Sequence, residues 1–258
     1  MGIPASNLLK KVMESVEYRG IIGTFRVCIR TIFRPILDDP RIIKYRQYRF
    51  DRRFGVDTAG LIRREKLNID GPSAIYATDY EPVPSGLLKE ALAGLRIYYQ
   101  EFTFVDFGCG KGKALLVASA FPFGKIIGVE LSPDLKAIAV ENVKQYKGKA
   151  QQCRSLEVIG MDAAEFPLPA SPLVCYFFNP FKEQVIMRVL KNIEESLHKH
   201  PREVIIIYLN PQVDYVFQAV PFLTNIRRKA WCSIYRSRVR TAISYPARYG
   251  KGSVGAQP

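Results

Sequence analysis

Three glycines at alternate positions form the pattern in this sequence that points most directly to ligand chemistry. From Phe104 to Gly112 the chain reads Phe-Val-Asp-Phe-Gly-Cys-Gly-Lys-Gly, so an apolar run ends in Asp106 and passes into Gly108, Gly110 and Gly112. Glycine permits backbone conformations that other residues resist and lets bare backbone approach a ligand. The spacing is G-x-G-x-G, whereas the dinucleotide fingerprint requires G-x-G-x-x-G. The pattern therefore indicates either a ligand loop of another kind or a simple tight turn between a strand and a helix.

Two more acids follow apolar runs further along the chain. Glu130 closes the run Lys125–Glu130, 24 residues after Asp106, an interval that fits one helix and two short loops of a βαβ unit. A carboxylate at the tip of such a strand can accept hydrogen bonds from ribose hydroxyls, or it can simply be solvated. Asp162 follows the run 156–159. It is a candidate partner for the exocyclic amine of an adenine and, equally, the N-cap of a short helix.

A fourth apolar run, 173–178, ends in Asn179-Pro180-Phe181. Asn-Pro is a turn that can terminate a strand, and Asn210-Pro211 repeats it after the fifth apolar run. The alternative is that Asn179 contacts a substrate. The two histidines, His198 and His200, stand at the end of a helical pattern, where a cation complements the helix dipole, so they indicate no acid–base chemistry.

The elements between these residues predict an α/β fold. The apolar runs are short, β-branched and continuous, which is typical of strands buried on both faces of a parallel sheet. We expect a Rossmann-like, doubly wound sheet of seven strands, mostly parallel, with helices on both faces. Its last two strands, at about 222–228 and 230–236, form an antiparallel hairpin. In such a sheet the acids converge at the carboxyl ends of the first strands, at the topological switch point.

Over about residues 72–240 the chain resembles the class I S-adenosylmethionine-dependent methyltransferases. The resemblance implies that Asp106, Gly108, Gly110 and Gly112 hold the methionine portion of S-adenosylmethionine. It also implies that Glu130 binds its ribose and Asp162 its adenine. Asn179, Pro180 and Phe181 then face the transferred methyl group as the catalytic motif, with Asn179 contacting an amine or amide acceptor. Families with this motif carry two prolines and this chain carries one, so the acceptor stays open.

A looser resemblance lies upstream. Tyr80-Glu81, followed by a predicted helix at 85–95, is similar to the layout of the non-SET histone lysine methyltransferases, which places Tyr80 and Glu81 against the cofactor. Those proteins carry a Tyr-Gly-Glu loop, whereas here no glycine separates the two residues and Pro82 follows. The alternative is a proline-bounded connector. The stretch 50–58 is also similar to a group of largely uncharacterised bacterial methyltransferases.

The resemblance implies an enzyme that transfers a methyl group to nitrogen on a macromolecule, either a protein lysine, another amine or amide, or a nucleic acid. Such a transfer is an in-line displacement in which positioning does most of the work, and no metal is expected. Two alternatives remain. One is a non-catalytic adaptor of the same fold that binds an anionic partner, and the other is a methyltransferase for small molecules. The sequence does not indicate an oligomeric state.

The charge of the chain, formally +14, is concentrated at its ends. Residues 1–56 hold 12 Lys/Arg against 5 Asp/Glu, residues 57–225 hold 18 against 19, and residues 226–258 hold 8 against none. Basic ends favour an anionic partner, namely nucleic acid, an acidic protein or a membrane surface; scattered solubilising charge is the alternative. In the C-terminal part the basic residues alternate with Trp231, Ile234 and Tyr235, a pattern that base stacking or a terminal hairpin would both produce.

The predicted domain organisation is a basic helical extension at 1–71, a methyltransferase domain at 72–240, and a tail at 241–258 that is disordered at its end. Residues 7–37 predict one or two basic amphipathic helices, which either lie on an anionic membrane, cap the core or form part of the substrate cleft. No apolar run there is long enough to span a bilayer, and no secretory signal is apparent. Residues 1–6 fit the minimal myristoylation pattern. The five scattered cysteines predict a reduced, cytoplasmic chain.

Overall fold

The computed structural model describes residues 40–238. The predicted helices at 7–37, Cys28, the myristoylation pattern and the predicted tail at 241–258 lie outside these residues. By its contacts the chain divides into two compact units, Met1–Gly60 and Leu61–Pro258. The residues from Leu61 onward belong to the unit that contains the sheet. The domain boundary that the sequence predicts after residue 71 stays a prediction.

The first unit contributes helix α1 (Pro40–Phe54) and the turn that follows it. Asp51 is buried on this helix, and its carboxylate accepts hydrogen bonds from the Thr58 and Ala59 amides at 2.8 and 2.6 Å and from the Thr58 hydroxyl at 2.5 Å. Gly55 has a φ of 65°, a left-handed conformation that suits the residue just past a helix end. The turn therefore folds back on the helix and forms hydrogen bonds with Asp51, the only acidic residue of the helix.

The second unit is built on the predicted seven-stranded sheet. Its strand order is β3-β2-β1-β4-β5-β7-β6. The pairs among β1 to β5 are parallel, whereas β7 is antiparallel to both β5 and β6. The order reverses between β1 and β4, which makes the carboxyl ends of these two strands the topological switch point. The predicted fold class, including the C-terminal hairpin, is confirmed.

The strands are β1 (Thr103–Phe107), β2 (Lys125–Glu130), β3 (Leu156–Gly160), β4 (Leu173–Phe177), β5 (Val204–Leu209), β6 (Leu223–Lys229) and β7 (Cys232–Ser237). The helices of this unit are α2 (Ser85–Ala93), α3 (Lys113–Ala118), α4 (Pro133–Gln145), α5 (Glu183–Lys199) and α6 (Asp214–Gln218). Single 3-10 turns lie at Arg64–Lys66, Ala74–Tyr76, Tyr99–Glu101 and Ala163–Glu165.

Local sequence explains where several of these elements begin. Ser132 caps α4 by accepting a hydrogen bond from the Leu135 amide at 3.4 Å, and Pro133 occupies the first turn, where its missing N–H costs nothing. Helix α5 buries the side chains that recur at helical spacing. These are Val185, Ile186, Val189, Leu190, Ile193 and Leu197.

Strands β1, β4 and β5 are buried along their whole length, as predicted. The same prediction is wrong for β3, whose residues are half-buried or exposed. The reason is position, because β3 is an edge strand that pairs only with β2. Its Glu157 forms an ion pair with Lys125 of β2 at 2.7 Å, near the solvent. Charged side chains on an edge discourage pairing with another chain.

Between residues 40 and 238 no helix combines the length and the apolar character that crossing a membrane would require.

Candidate functional site

A cavity of about 870 Å³, counting the space open to solvent at its mouth, lies at the carboxyl ends of the parallel strands. Its lining contains ten of the eleven predicted site residues. These are Tyr80, Glu81, Asp106, Gly108, Gly110, Glu130, Asp162, Asn179, Pro180 and Phe181. The eleventh, Gly112, is the N-cap of α3, with a φ of 79° that turns the chain into the helix.

The glycine turn is held so tightly that side chains would not fit. Gly108 and Gly110 have φ values of 77° and 53°. A Cβ on Gly108 would lie 2.3 Å from the Pro180 Cβ, and one on Gly110 would lie 2.4 Å from the Tyr80 ring. The turn thus passes between residues of two other loops that were themselves predicted to belong to the site. Its glycines are required by these contacts as well as by the backbone conformation.

Two buried carboxylates meet beneath this turn. Glu130 accepts hydrogen bonds from the Gly110 amide at 2.7 Å and from the Ser132 amide at 2.9 Å. Burial raises the pKa of Glu130, although these backbone N–H groups act in the opposite direction. Burial raises the pKa of Asp106 well above its usual range, and the nearby charge of Glu130 raises it further. A cation bound here would relieve the repulsion between the two acids.

Asp162 links three parts of the structure. Its Oδ1 accepts a hydrogen bond from the Ala164 amide at 2.9 Å, which confirms the predicted N-cap. Its Oδ2 accepts the Ser73 hydroxyl at 2.6 Å and lies 3.6 Å from Nη1 of Arg188. Arg188 also donates to the Ser73 oxygen at 2.9 Å and to Glu165 at 2.6 Å. The predicted contact of Asp162 with adenine stays a prediction.

Asn179 is fixed by a network that the sequence did not reveal. Its φ is 47°, a left-handed conformation that asparagine tolerates better than most residues. The side chain donates from Nδ2 to the Asn210 carbonyl at 2.8 Å, while Oδ1 accepts the Tyr208 hydroxyl at 2.8 Å. Its own carbonyl accepts the Thr78 hydroxyl at 2.6 Å. Asn179 therefore shapes the loop, and its contact with an acceptor stays a prediction.

The 61–84 segment, which precedes α2, forms one wall of the cavity. It folds on itself through the backbone pair Ile62–Tyr80 and joins the loop after β4 through the pair Ala77–Phe181. The Lys182 amide adds a hydrogen bond to the Tyr76 carbonyl at 2.8 Å. Sequence reasoning selected Tyr80 and Glu81 from this segment but missed Ser73 and Thr78. Two hydroxyl-bearing residues in a stretch without periodicity were the available signal.

Carboxylates dominate the charge of the cavity. Its lining includes Asp79, Glu81, Asp106, Glu130 and Asp162, against the single ammonium group of Lys113. Walls of one sign concentrate ligands of the opposite sign. The cavity therefore favours a ligand that carries positive charge near the glycine turn.

Cys109, inside the turn, is a free and buried thiol. Burial raises its pKa well above the usual range, and Glu130 and Asp106 raise it further. A nucleophilic role for this thiol is therefore disfavoured. Within residues 40–238 no cluster of three or more His, Cys, Asp or Glu side chains is arranged to hold a metal ion.

We expect Tyr208→Phe to loosen the loops after β4 and β5. The Tyr208 hydroxyl donates to Asn179 and accepts the amides of Gln212 and Val213 at 3.1 and 3.3 Å, so its loss leaves three groups without this partner. The expected cost is about 2–3 kcal/mol in the free energy of unfolding. Amide exchange at Gln212 and Val213 should also accelerate. Urea unfolding and hydrogen exchange measure the two effects.

Tyr235→Phe is the matched control for this change. Tyr235, on the neighbouring strand β7, is also buried, and its hydroxyl donates to Asp214 of α6 at 2.7 Å. It should lose comparable stability while exchange at positions 212 and 213 stays as in the unmodified chain. Equal exchange in both variants would contradict the role assigned to Tyr208.

Comparison with known proteins adds the following. No protein-family model matches the chain, and no curated protein matches it. Similar solved structures include an RNA methyltransferase from Salinibacter ruber in complex with S-adenosyl-L-homocysteine, at 16% identity, 66% coverage of this chain, 100% of that chain and a TM-score of 0.42. A SAM-dependent methyltransferase from Aquifex aeolicus is similar at 17% identity, with 61% of this chain and 94% of that chain covered and a TM-score of 0.45. Human methyltransferase 10 domain containing protein is similar at 14% identity, with 78% of this chain and 98% of that chain covered and a TM-score of 0.44.

Proposed function

We propose that this protein is an S-adenosylmethionine-dependent methyltransferase. The observation that carries the proposal is the convergence of Asp106, Glu130 and Asp162, each at or just after the end of a parallel strand, with the glycine turn on one cavity. Asp106 and Glu130 are both less than one-tenth exposed, and burial raises the pKa of each. Such a pair suits a ligand that carries fixed positive charge, as this cofactor does at its sulfonium and amino groups.

The residues of the cavity fit the parts of this cofactor in order. Asp106 and the backbone of the glycine turn would hold its methionine portion, Glu130 the ribose and Asp162 the adenine, next to Met161. When bound, the cofactor supplies a methyl group on a sulfonium that is already a good leaving group. The chain then has to orient the acceptor in line with that methyl group and exclude water. Tyr80 and Pro180, packed on the glycine turn, would shield this point.

We propose that the methyl acceptor is nitrogen, in an amine or amide of a macromolecule. We also propose that this methyltransferase works in the cytoplasm. Asn179, Pro180 and Phe181 line the cavity on the side of β4, where an acceptor would approach. The carbonyl oxygens of a fixed Asn-Pro loop can accept hydrogen bonds from an NH₂ group. The excess of carboxylates in the lining also favours an acceptor that arrives as an ammonium cation. That nitrogen must give up a proton, which a carboxylate or water can take, before its lone pair attacks the methyl group.

Calorimetry with S-adenosylmethionine, or with its demethylated product, tests the cofactor site. We expect roughly micromolar binding, a common scale for cofactors. Glu130→Ala should weaken it by about 1–3 kcal/mol, since polar partners are lost from a buried site. Glu157→Ala is the matched control, because Glu157 is a half-exposed acid of the adjacent strand that forms an ion pair with Lys125. The absence of binding by the unmodified protein would overturn the proposed function.

The class of acceptor is tested separately. Cell extract incubated with methyl-labelled cofactor and the protein should carry label into protein or nucleic acid. Label confined to small molecules would overturn the macromolecular acceptor. Cofactor binding without label in any fraction would instead identify a non-catalytic adaptor of this fold.

A further inference from the structure

Helix α1 carries an exposed basic surface that the proposed site does not use. Six basic residues on this fifteen-residue helix have exposed side chains: Arg41, Lys44, Arg46, Arg49, Arg52 and Arg53. The helix has a single acidic residue, Asp51, which is buried and bonded to Thr58 and Ala59. The helix itself therefore carries six exposed cations and no exposed acid.

The basic residues share one face with two tyrosines. At 100° per residue, the six basic side chains together with Tyr45 and Tyr48 occupy an arc of about 200° around the helix. Gln47, Phe50, Asp51 and Phe54 occupy the opposite side and are half-buried or buried. The rings of Phe50 and Phe54 lie 4.9 Å apart there. The helix is thus two-sided, and its basic face is the solvent-exposed one.

Two exposed tyrosines distinguish this face from a helix surface that carries only solvated charges. Tyr45 and Tyr48 are 57% and 45% exposed. Lys44 places its Nζ 5.9 Å from the centre of the Tyr48 ring, so charge and aromatic surface alternate at close range. Exposed aromatic rings among cations offer planar surfaces on which bases stack, while the cations contact phosphates. Five of the six cations are arginines, whose planar groups also stack.

We infer that the basic face of α1 binds single-stranded nucleic acid. Its charge complements the phosphate backbone, and its tyrosines distinguish unpaired bases from a duplex, in which base faces are hidden. A membrane-surface helix would need an exposed apolar face to insert among lipid chains. On α1 the phenylalanines lie on the side away from the basic face. This inference does not depend on the proposed function, because it concerns binding alone.

The test uses the full chain and a fluorescently labelled single-stranded RNA of about 20 nucleotides, with anisotropy measured between about 50 and 200 mM salt. The variant Arg49→Gln, Arg52→Gln, Arg53→Gln removes three charges. We expect it to weaken binding at least about tenfold and to reduce the slope of log affinity against log salt by about 2, at roughly 0.7 per lost phosphate contact. Arg52 and Arg53 lie in the last turn of the helix, where a cation is favoured by the helix dipole, and Arg53 lies 5.2 Å from the centre of the Phe54 ring. The thermal unfolding midpoint should therefore fall slightly, and binding is compared at a temperature at which both chains are folded.

A charge-matched variant separates a local surface from net charge. Lys144→Gln, Lys191→Gln, Lys199→Gln removes the same three charges from exposed positions of α4 and α5. It should change the affinity less than about twofold. Equal losses in the two triple variants would overturn the inference, as would a lack of RNA binding by the unmodified chain at the lowest salt.

The tyrosines provide a second, independent measurement. The double variant Tyr45→Ala, Tyr48→Ala should bind single-stranded RNA at least about tenfold more weakly, because base stacking is lost. The slope of log affinity against log salt should stay unchanged. Binding to a duplex of the same sequence should not change. Vesicles rich in phosphatidylserine are the third arm of the experiment. If the arginine variant loses vesicle binding and the unmodified chain prefers vesicles to RNA, a membrane partner replaces nucleic acid and the inference fails.

Discussion

Gly110→Ala is expected to abolish measurable cofactor binding, with a loss of at least about a hundredfold in affinity. The left-handed backbone at Gly110 alone costs a residue with a side chain about 1–2 kcal/mol. In addition, the new methyl group would lie 2.4 Å from the Tyr80 ring, so the ring or the turn must shift. A shift of the turn also displaces the Gly110 amide from Glu130, to which it donates at 2.7 Å. One methyl group therefore disturbs three parts of the cavity wall.

The matched control for this change is Gly86→Ala. Gly86 lies in the first turn of α2 and has no atom within 4 Å of an added Cβ. Alanine there should leave binding unchanged and raise stability by up to about 1 kcal/mol, because it is the better helix former. Calorimetry with S-adenosylhomocysteine and thermal unfolding measure both effects. Normal binding by Gly110→Ala would show that the turn does not approach the ligand.

Asp106→Asn is expected to stabilise the free protein and to weaken its binding of the cofactor. Asp106 is 3% exposed, and burial together with the charge of Glu130 raises its pKa well above the usual range. Asparagine keeps the shape of the side chain and removes the charge. At neutral pH the free energy of unfolding should therefore rise, because the cost of burying the charge is removed. If Asp106 holds the methionine portion as proposed, the affinity for S-adenosylhomocysteine should fall at least about tenfold, because the amino group of this ligand loses its carboxylate partner.

The sign of the pH dependence makes this prediction specific. Because the pKa of Asp106 is higher in the folded than in the unfolded state, the folded state binds its proton more tightly. The stability linked to this group is therefore complete below the unfolded pKa of about 3.9 and is lost as the pH rises through the folded pKa. The advantage of Asp106→Asn should grow with pH over that interval. Unfolding by urea at a series of pH values measures it.

Asp134→Asn serves as the control for the second prediction. Asp134 is exposed in the first turn of α4, where a negative charge favours the helix dipole. Its neutralisation should lower stability by about 0.3–1 kcal/mol at neutral pH, the opposite direction to Asp106→Asn. If both variants lose stability, Asp106 does not carry an unfavourable buried charge.

Much of the fold could be predicted because its signals are local. Continuous apolar runs such as 204–209 indicate buried strands whatever surrounds them, and Ser132-Pro133 indicates a helix start by its own chemistry. The exposure of β3 could not be predicted in this way. The run Leu-Glu-Val-Ile-Gly differs little from a central strand, and its place at the edge follows from strand order, which is a property of the whole sheet.

The candidate site divides along the same line. The acids and glycines were predictable because each follows a strand, and parallel strands bring their carboxyl ends together. Tyr208 was not, since its sequence context shows only an aromatic residue in an apolar strand. Its hydroxyl meets Asn179, which lies 29 residues away along the chain. The structure of the 61–84 segment could not be predicted for a related reason. It is defined by backbone pairs with distant residues, and not by a periodic pattern in the sequence.

The network around Tyr208 has a consequence for how this chain can change during evolution. A single hydroxyl serves Asn179 and the two amides after Pro211, while Asn179 also donates to Asn210. A substitution at 179 or 208 alone removes these hydrogen bonds from the loops after β4 and β5, so such variants should be selected against unless the other position changes with it. Positions 179 and 208 should therefore vary together in related chains, whereas Asn210 contributes only its backbone carbonyl to the network.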